Sequence, residues 1–121
     1  MNSLNNSVRL LGNVGMDPQV ITFDNGNKLA KFSLATSESY KDKEGKKQTE
    51  TEWHSIITWR NLAEIAGKYL KKGDTIYLEG KIKTRSYEDK EGNKRYTTEI
   101  IADNFIMLNK PTDKAEIYAS S

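Results

Sequence analysis

The chain has 121 residues, enough for one domain with a single core, and folding at this length buries roughly two thirds of the unfolded surface. It contains no cysteine, which excludes a disulfide framework and a thiolate metal site and fits a reducing compartment. The opening MNSLNNSVRL lacks a basic region followed by an apolar run, no stretch reaches membrane-span length, and a net charge of +2 does not by itself indicate a polyanionic partner.

Period-two alternation dominates. SVRLLGNV (7–14) reads as a strand closed by a turn at Gly15–Pro18, and QVITF (19–23) as a short strand. DNGN (24–27) carries the Asn-Gly signal for a tight hairpin, because both central residues tolerate positive φ. KLAKFSLATSESY (28–40) is a long second main strand with Phe32 and Leu34 on its core side. Tyr40 shares their parity, so a twist or bulge is expected if Tyr40 is to face a ligand. TEWHSIITW (51–59) is the third, with Trp53, Ser55, Ile57 and Trp59 on one face and His54, Ile56 and Thr58 on the other.

The period then changes. Leu62, Ile65, Ala66, Tyr69 and Leu70 fall at helical spacing, predicting a short helix over 61–73 with Asn61 as N-cap, Glu64 completing a capping box and Gly73 as stop. TIYLEGKIKTRSY (75–87) is the fourth main strand. Ile76, Leu78, Gly80 and Ile82 are expected in the core, while Tyr77, Lys81, Lys83, Arg85 and Tyr87 point outward. RYTTEIIADNFIML (95–108) is the fifth, and 109–121 reads as a short flexible C-terminal tail.

SYKDKEGKK (39–47) recurs as SYEDKEGNK (86–94), seven of nine letters alike, at the two long strand-to-strand connections. The flanks do not match, which indicates shared turn chemistry rather than a duplicated domain. Five main strands with one helix between the third and fourth is the order of an all-β, five-stranded Greek-key barrel, the OB-fold, over residues 1–108; other five-stranded barrels share the strand count.

Basic charge is sorted into segments. Residues 40–47 hold four lysines against two acids, 60–72 four cations against Glu64, and 81–95 six against three. The segments are solvated lysine loops or one shared basic face. A cationic row ending in Tyr87, and two tryptophans on one face, suit an unpaired polynucleotide, with cations on phosphates and rings on bases. Packing is the alternative for the tryptophans, and protection against edge pairing for the lysines. His54 is the only histidine and has no second ligand for a metal. No nucleophile elbow, phosphate loop or carboxylate cluster is present, so no enzyme, metal or cofactor is expected.

LLGNVGMDPQV (10–20), FSLATSESY (32–40), TEWHSIITWRNLAEIAGKYLKKGDTIYLEGKIKTRSY (51–87) and RYTTEIIADNF (95–105), together and in order, resemble bacterial single-stranded DNA-binding protein over residues 4–108. The resemblance implies an OB-fold that coats single-stranded DNA without sequence specificity in replication, recombination and repair. It implies a homotetramer in the bacterial cytoplasm, associated with the nucleoid. It places stacking aromatics at Tyr40, Trp53, Trp59 and Tyr87, phosphate contacts at Lys43, Lys72, Lys83 and Arg85, and a subunit contact at His54. The family often has Trp where Tyr40 and Tyr87 stand, which implies weaker stacking there, and Lys where Asn61 stands, with Arg60 the adjacent cation. The family's acidic tip ending in Pro-Phe is absent from KAEIYASS, so recruitment of protein partners is not expected from these residues. The rival readings are a protein-interaction OB module like the primosomal relatives, an OB-type nuclease, and an RNA-binding barrel, which competition between dT and rU oligomers discriminates.

Overall fold

The computed structural model describes residues 5–108 and the backbone of 119–120. The strands in chain order are β1 (Val8–Val14), β2 (Gln19–Thr22), β3 (Lys28–Lys41) and β4 (Lys47–Trp59), followed by helix α1 (Arg60–Tyr69), then β5 (Thr75–Glu88), β6 (Lys94–Met107) and β7 (Ala119–Ser120). The expected flexible tail, 109–121, otherwise lies outside the described residues.

Hydrogen bonding runs β1-β5-β6-β4-β3-β2, and β1 also pairs with β3. That last pairing, Asn13 with Ala35 and Val14 with Leu34, closes β1, β3, β4, β5 and β6 into the expected five-stranded barrel. β4 and β6 are parallel through Ile56/Ile100 and Ile57/Ile101; the other barrel pairings are antiparallel. The interior is filled by Phe32, Leu34, Ile56, Ile76, Leu78, Phe105 and Met107, with Leu62 and Ala66 of α1 packed against them. Closure forces β5 to bend at Glu79/Gly80, where its register to β6 shifts. A Cβ on Gly80 would lie 2.2 Å from the Ile101 carbonyl oxygen, so the bend admits only glycine.

Three expectations are corrected. Ile82 is 47% exposed rather than in the core, because β5 beyond the bend leaves the barrel wall. The Asn6 side chain brackets the Ile82 backbone there, accepting from its N–H and donating to its carbonyl at 3.0 Å each. The helix begins at Arg60, with Trp59 in the N-cap position and no side-chain cap, and ends at Tyr69. Glu64 pairs with Lys28 at 3.3 Å instead of completing a capping box. Gly73, at φ +96°, belongs to a turn beyond the helix, where the Asp74 carboxylate accepts from Lys71 N–H at 2.9 Å.

The third correction concerns the hairpins. At 24–27 Asn25 is not at positive φ; Gly26 is, at +88°. Gly26 N–H donates to Phe23 O, and Phe23 N–H to Asn27 O, which makes a three-residue loop with glycine in the left-handed position. The two repeats use the same construction at Asp42–Lys46 and Asp89–Asn93, with Gly45 at φ +81° and Gly92 at φ +83°. Each repeat adds an aspartate whose Oδ1 accepts two loop N–H groups at 2.9 Å: Glu44 and Lys46 on Asp42, Glu91 and Asn93 on Asp89. Their second oxygens accept from Gln48 at 3.1 Å and from Arg95 at 2.9 Å. The recurring nonapeptide is therefore turn chemistry, as its flanks indicated.

These bonds favour the ionised carboxylates. The Lys46 N–H holds Asp42, and the Arg95 guanidinium holds Asp89, below the ordinary carboxylate value. Groups lowered on folding contribute above their unfolded pKa, and the contribution is lost as pH falls through the folded one. Carbon-13 titration should show both side chains protonating below free aspartate, with the tips losing order only there; ordinary midpoints would contradict the bonding. Gly80→Ala should cost at least about 1–3 kcal/mol in urea denaturation through the main-chain clash.

Candidate nucleic-acid interface

Both long hairpins run on past the barrel as two-stranded ribbons. The β3–β4 register is unbroken from Leu29/Trp59 to Lys41/Lys47, and β5–β6 from Gly80/Ala102 to Glu88/Lys94. Side chains alternate faithfully along such ribbons, so each face can be followed from the core outward.

The outer face of β3–β4 carries Trp53, Ser55, Ile57 and Trp59 on β4, opposite Ala35, Ser33, Lys31 and Leu29. Further out it is hydroxyl-lined, with Ser37 against Thr51 (3.3 Å) and Ser39 against Thr49 (3.4 Å). Trp53 lies over the Gly15 turn, where a Cβ on Gly15 would stand 2.3 Å from its Cζ3. Trp59 stacks on Phe23, with ring centroids 5.9 Å apart and planes at 21°. Neither indole is sealed in the core: Trp53 is 62% exposed and Trp59 39%.

A groove of about 380 Å³ runs from Trp59 across the sheet, lined by Ile21, Leu29, Lys31, Ile57, Lys83, Arg85, Glu99 and Ile101. It brings one predicted ring, Trp59, together with two predicted cations, Lys83 and Arg85. Tyr87, half exposed, continues the Lys83–Arg85 row on the same ribbon face. Arg85 holds buried Glu99 with two hydrogen bonds, Nε to Oε1 at 2.9 Å and Nη2 to Oε2 at 3.4 Å. That bonding, with the carboxylate's charge, raises the guanidinium pKa further above its usual value.

The remaining expected residues lie apart from this groove. Lys72, beyond α1, donates its backbone N–H to Asp17 at 2.9 Å, on the turn that also supports Trp53. Lys43 is exposed in the β3–β4 tip. Tyr40 keeps the parity of Phe32 and Leu34, because β3–β4 has no bulge. It therefore sits on the opposite ribbon face from the tryptophans, where Glu38, Glu50 and Glu52 also lie, and its hydroxyl donates to Glu50 at 3.2 Å. His54 is half-buried on that side, with Nε2 3.0 Å from Thr36 Oγ1.

Sequence reasoning missed Lys31, Glu99 and Phe23. Alternation with Ala30 and Phe32 would have turned Lys31 outward; Tyr96, an exposed ring with Lys94 Nζ 5.6 Å from its centroid, pairs with Ser86 and lies on the ribbon face away from the groove. The roles of Glu99 and Phe23 depend on contacts between distant segments and leave no local mark. Among the described residues, no group of acidic or histidine side chains is arranged to hold a metal, and no helix is long and apolar enough to cross a membrane.

Comparison with known proteins points the same way. The family model described as "Single-strand binding protein family" matches residues 5–108. The Xylella fastidiosa (strain 9a5c) protein named Single-stranded DNA-binding protein 1 is 45% identical over 113 residues, which is 93% of this chain and 83% of that protein. The structure described as Plasmodium falciparum SSB complex with ssDNA superposes with a TM-score of 0.81 at 33% identity, covering 90% of this chain and 98% of that one.

The indole environments are separable in solution. Acrylamide should quench Trp59→Phe, which reports Trp53, more strongly than Trp53→Phe, which reports the Phe23-covered Trp59. The reverse order would contradict this placement.

Proposed function

Because the chain belongs to the single-strand binding protein family, we propose that it binds and protects single-stranded DNA without sequence specificity, as a binding protein rather than an enzyme. The observation that carries the reading is the convergence of exposed Trp59 with Lys31, Lys83 and Arg85 on one groove, flanked by Trp53 and Tyr87 on the same outer faces. Bases stack on the rings, and the lysines neutralise phosphates. Every base has a π-face, so sequence preference is weak, and duplex DNA, which hides those faces, binds poorly.

Lys72 meets the backbone beside Trp53, and Lys43 where the β3–β4 hairpin curls over the strand. Tyr40 reaches a base only through that curling, because its face carries three glutamates that repel phosphate. The protein acts in replication, recombination and repair, in the bacterial cytoplasm and associated with the nucleoid. Self-association, as a homotetramer, has support in an apolar row across the opposite wall of the barrel. Leu11 pairs with Tyr77 and Tyr77 with Ile106, and both Leu11 and Tyr77 are exposed. His54 is a second protomer contact. Light scattering with and without oligo-dT reads the assembly.

Oligo-dT should quench tryptophan fluorescence and compete better than oligo-rU or duplex. Trp53→Ala and Trp59→Ala should each weaken binding by about 1–3 kcal/mol, Tyr87→Ala by less and Tyr40→Ala least. Trp53→Ala should leave the melting temperature nearly intact, since its ring is mostly exposed. A large fall in Tm with unchanged affinity would return that ring to a packing role.

A further inference from the structure

The floor of the groove holds a charge that an anion-binding surface would ordinarily exclude. Glu99 is buried in β6, and both its carboxylate oxygens are occupied by the Arg85 guanidinium. In the β5–β6 register Lys83 stands directly across from Glu99, and Arg85 across from Thr97. The two cations that phosphate would seek are therefore not equivalent. Arg85 is opposed at contact distance by a carboxylate only 7% exposed. If Arg85 swung out to a phosphate, it would strand that carboxylate as an unpaired buried charge, which is strongly unfavourable. Its own side chain is 56% exposed, so the guanidinium face and its outer N–H groups remain open to the groove.

We propose that Glu99 is a positioning residue of this groove: it holds the Arg85 guanidinium in a fixed plane and offsets its charge, so that Arg85 meets the strand as a flat stacking and hydrogen-bonding platform while lysines such as Lys83 neutralise the phosphates. A guanidinium is suited to this, since it is planar, weakly hydrated and stacks on aromatic rings, whereas an ammonium is a compact point charge. Fixing the plane beforehand also spares the ordering cost that a free arginine would meet on binding.

The inference rests on the groove being the single-strand surface, and salt dependence tests it. Oligo-dT affinity is measured over a salt series for the wild type, Lys83→Gln, Arg85→Lys, Glu99→Gln and the double variant Arg85→Gln/Glu99→Gln, each with its thermal melt. Lys83→Gln should flatten the log–log slope by about 0.7, the value for one phosphate contact on a single strand. The double variant Arg85→Gln/Glu99→Gln, which removes the plane, keeps the pair uncharged and strands no carboxylate, should lower affinity about tenfold at every salt concentration, the loss of one stacking contact, with the slope unchanged. Arg85→Lys should fail to restore affinity, because it keeps the charge and loses the plane. Glu99→Gln should steepen the slope by about 0.7 as Arg85 becomes a net cation. If the variants that carry Glu99→Gln do not fold, Arg85→Lys, which keeps the pair neutral, decides alone. Equal flattening by the double variant and by Lys83→Gln, with Arg85→Lys keeping both the wild-type slope and affinity, would overturn the proposal and leave the binding function standing. Failure of the wild type to bind oligo-dT would overturn that function, and this inference with it.

Discussion

Unbroken strand pairing along the two long hairpins is the constraint on which the rest of the molecule depends. β3–β4 keeps one register from Leu29/Trp59 to Lys41/Lys47, and β5–β6 keeps one from Gly80/Ala102 to Glu88/Lys94. A side chain's face is then decided by its parity, and its burial by its distance from the barrel. At the base, even positions of β3 and β4 fill the core. At the tips, the same parity delivers Tyr40, Glu38 and Glu50 to solvent, and the opposite parity delivers a hydroxyl-lined face that runs from Trp53 out to the Lys41/Lys47 pair. The glutamates lie on the face turned away from the tryptophans.

Charge follows the same logic. A modest excess of basic residues becomes useful because β2, β3, β5 and β6 bring Lys31, Lys83 and Arg85 to one groove around Trp59. Not all of that charge is available to phosphate. The Arg85–Glu99 pair is neutral as a unit, and its two charge-assisted hydrogen bonds hold the guanidinium in place. The two repeats place their aspartates inside the turns, where backbone N–H groups engage the aspartate charge, and the tip lysines extend outward from those loops.

Local rules failed where tertiary closure overrode them. Asn25-Gly26 satisfies a two-residue turn on paper, yet the hairpin takes a three-residue loop like its two relatives. Asn61 and Glu64 have the spacing of a capping box, yet the chain turns from β4 into α1 one residue earlier, through Arg60 at φ +57°, and Glu64 pairs with Lys28. Ile82 keeps the core parity of Ile76 and Leu78 but loses their burial, because the bend at Gly80 carries β5 off the barrel.

Strand alternation, the helical interruption after Trp59 and the recurring Asp-x-x-Gly turns are local properties, and they determined the five main strands, most of the core and the outward facing of Trp53, Trp59, Lys83 and Arg85. What only the tertiary structure decided is which of those outward residues meet. Trp59 finds Phe23 and the β5 cations, Tyr40 stays behind the ribbon with Glu50, and Arg85 is engaged by Glu99. Such contacts join segments far apart in the chain, set by how a closed sheet bends and twists, and periodicity within one strand holds no record of its neighbours across the barrel.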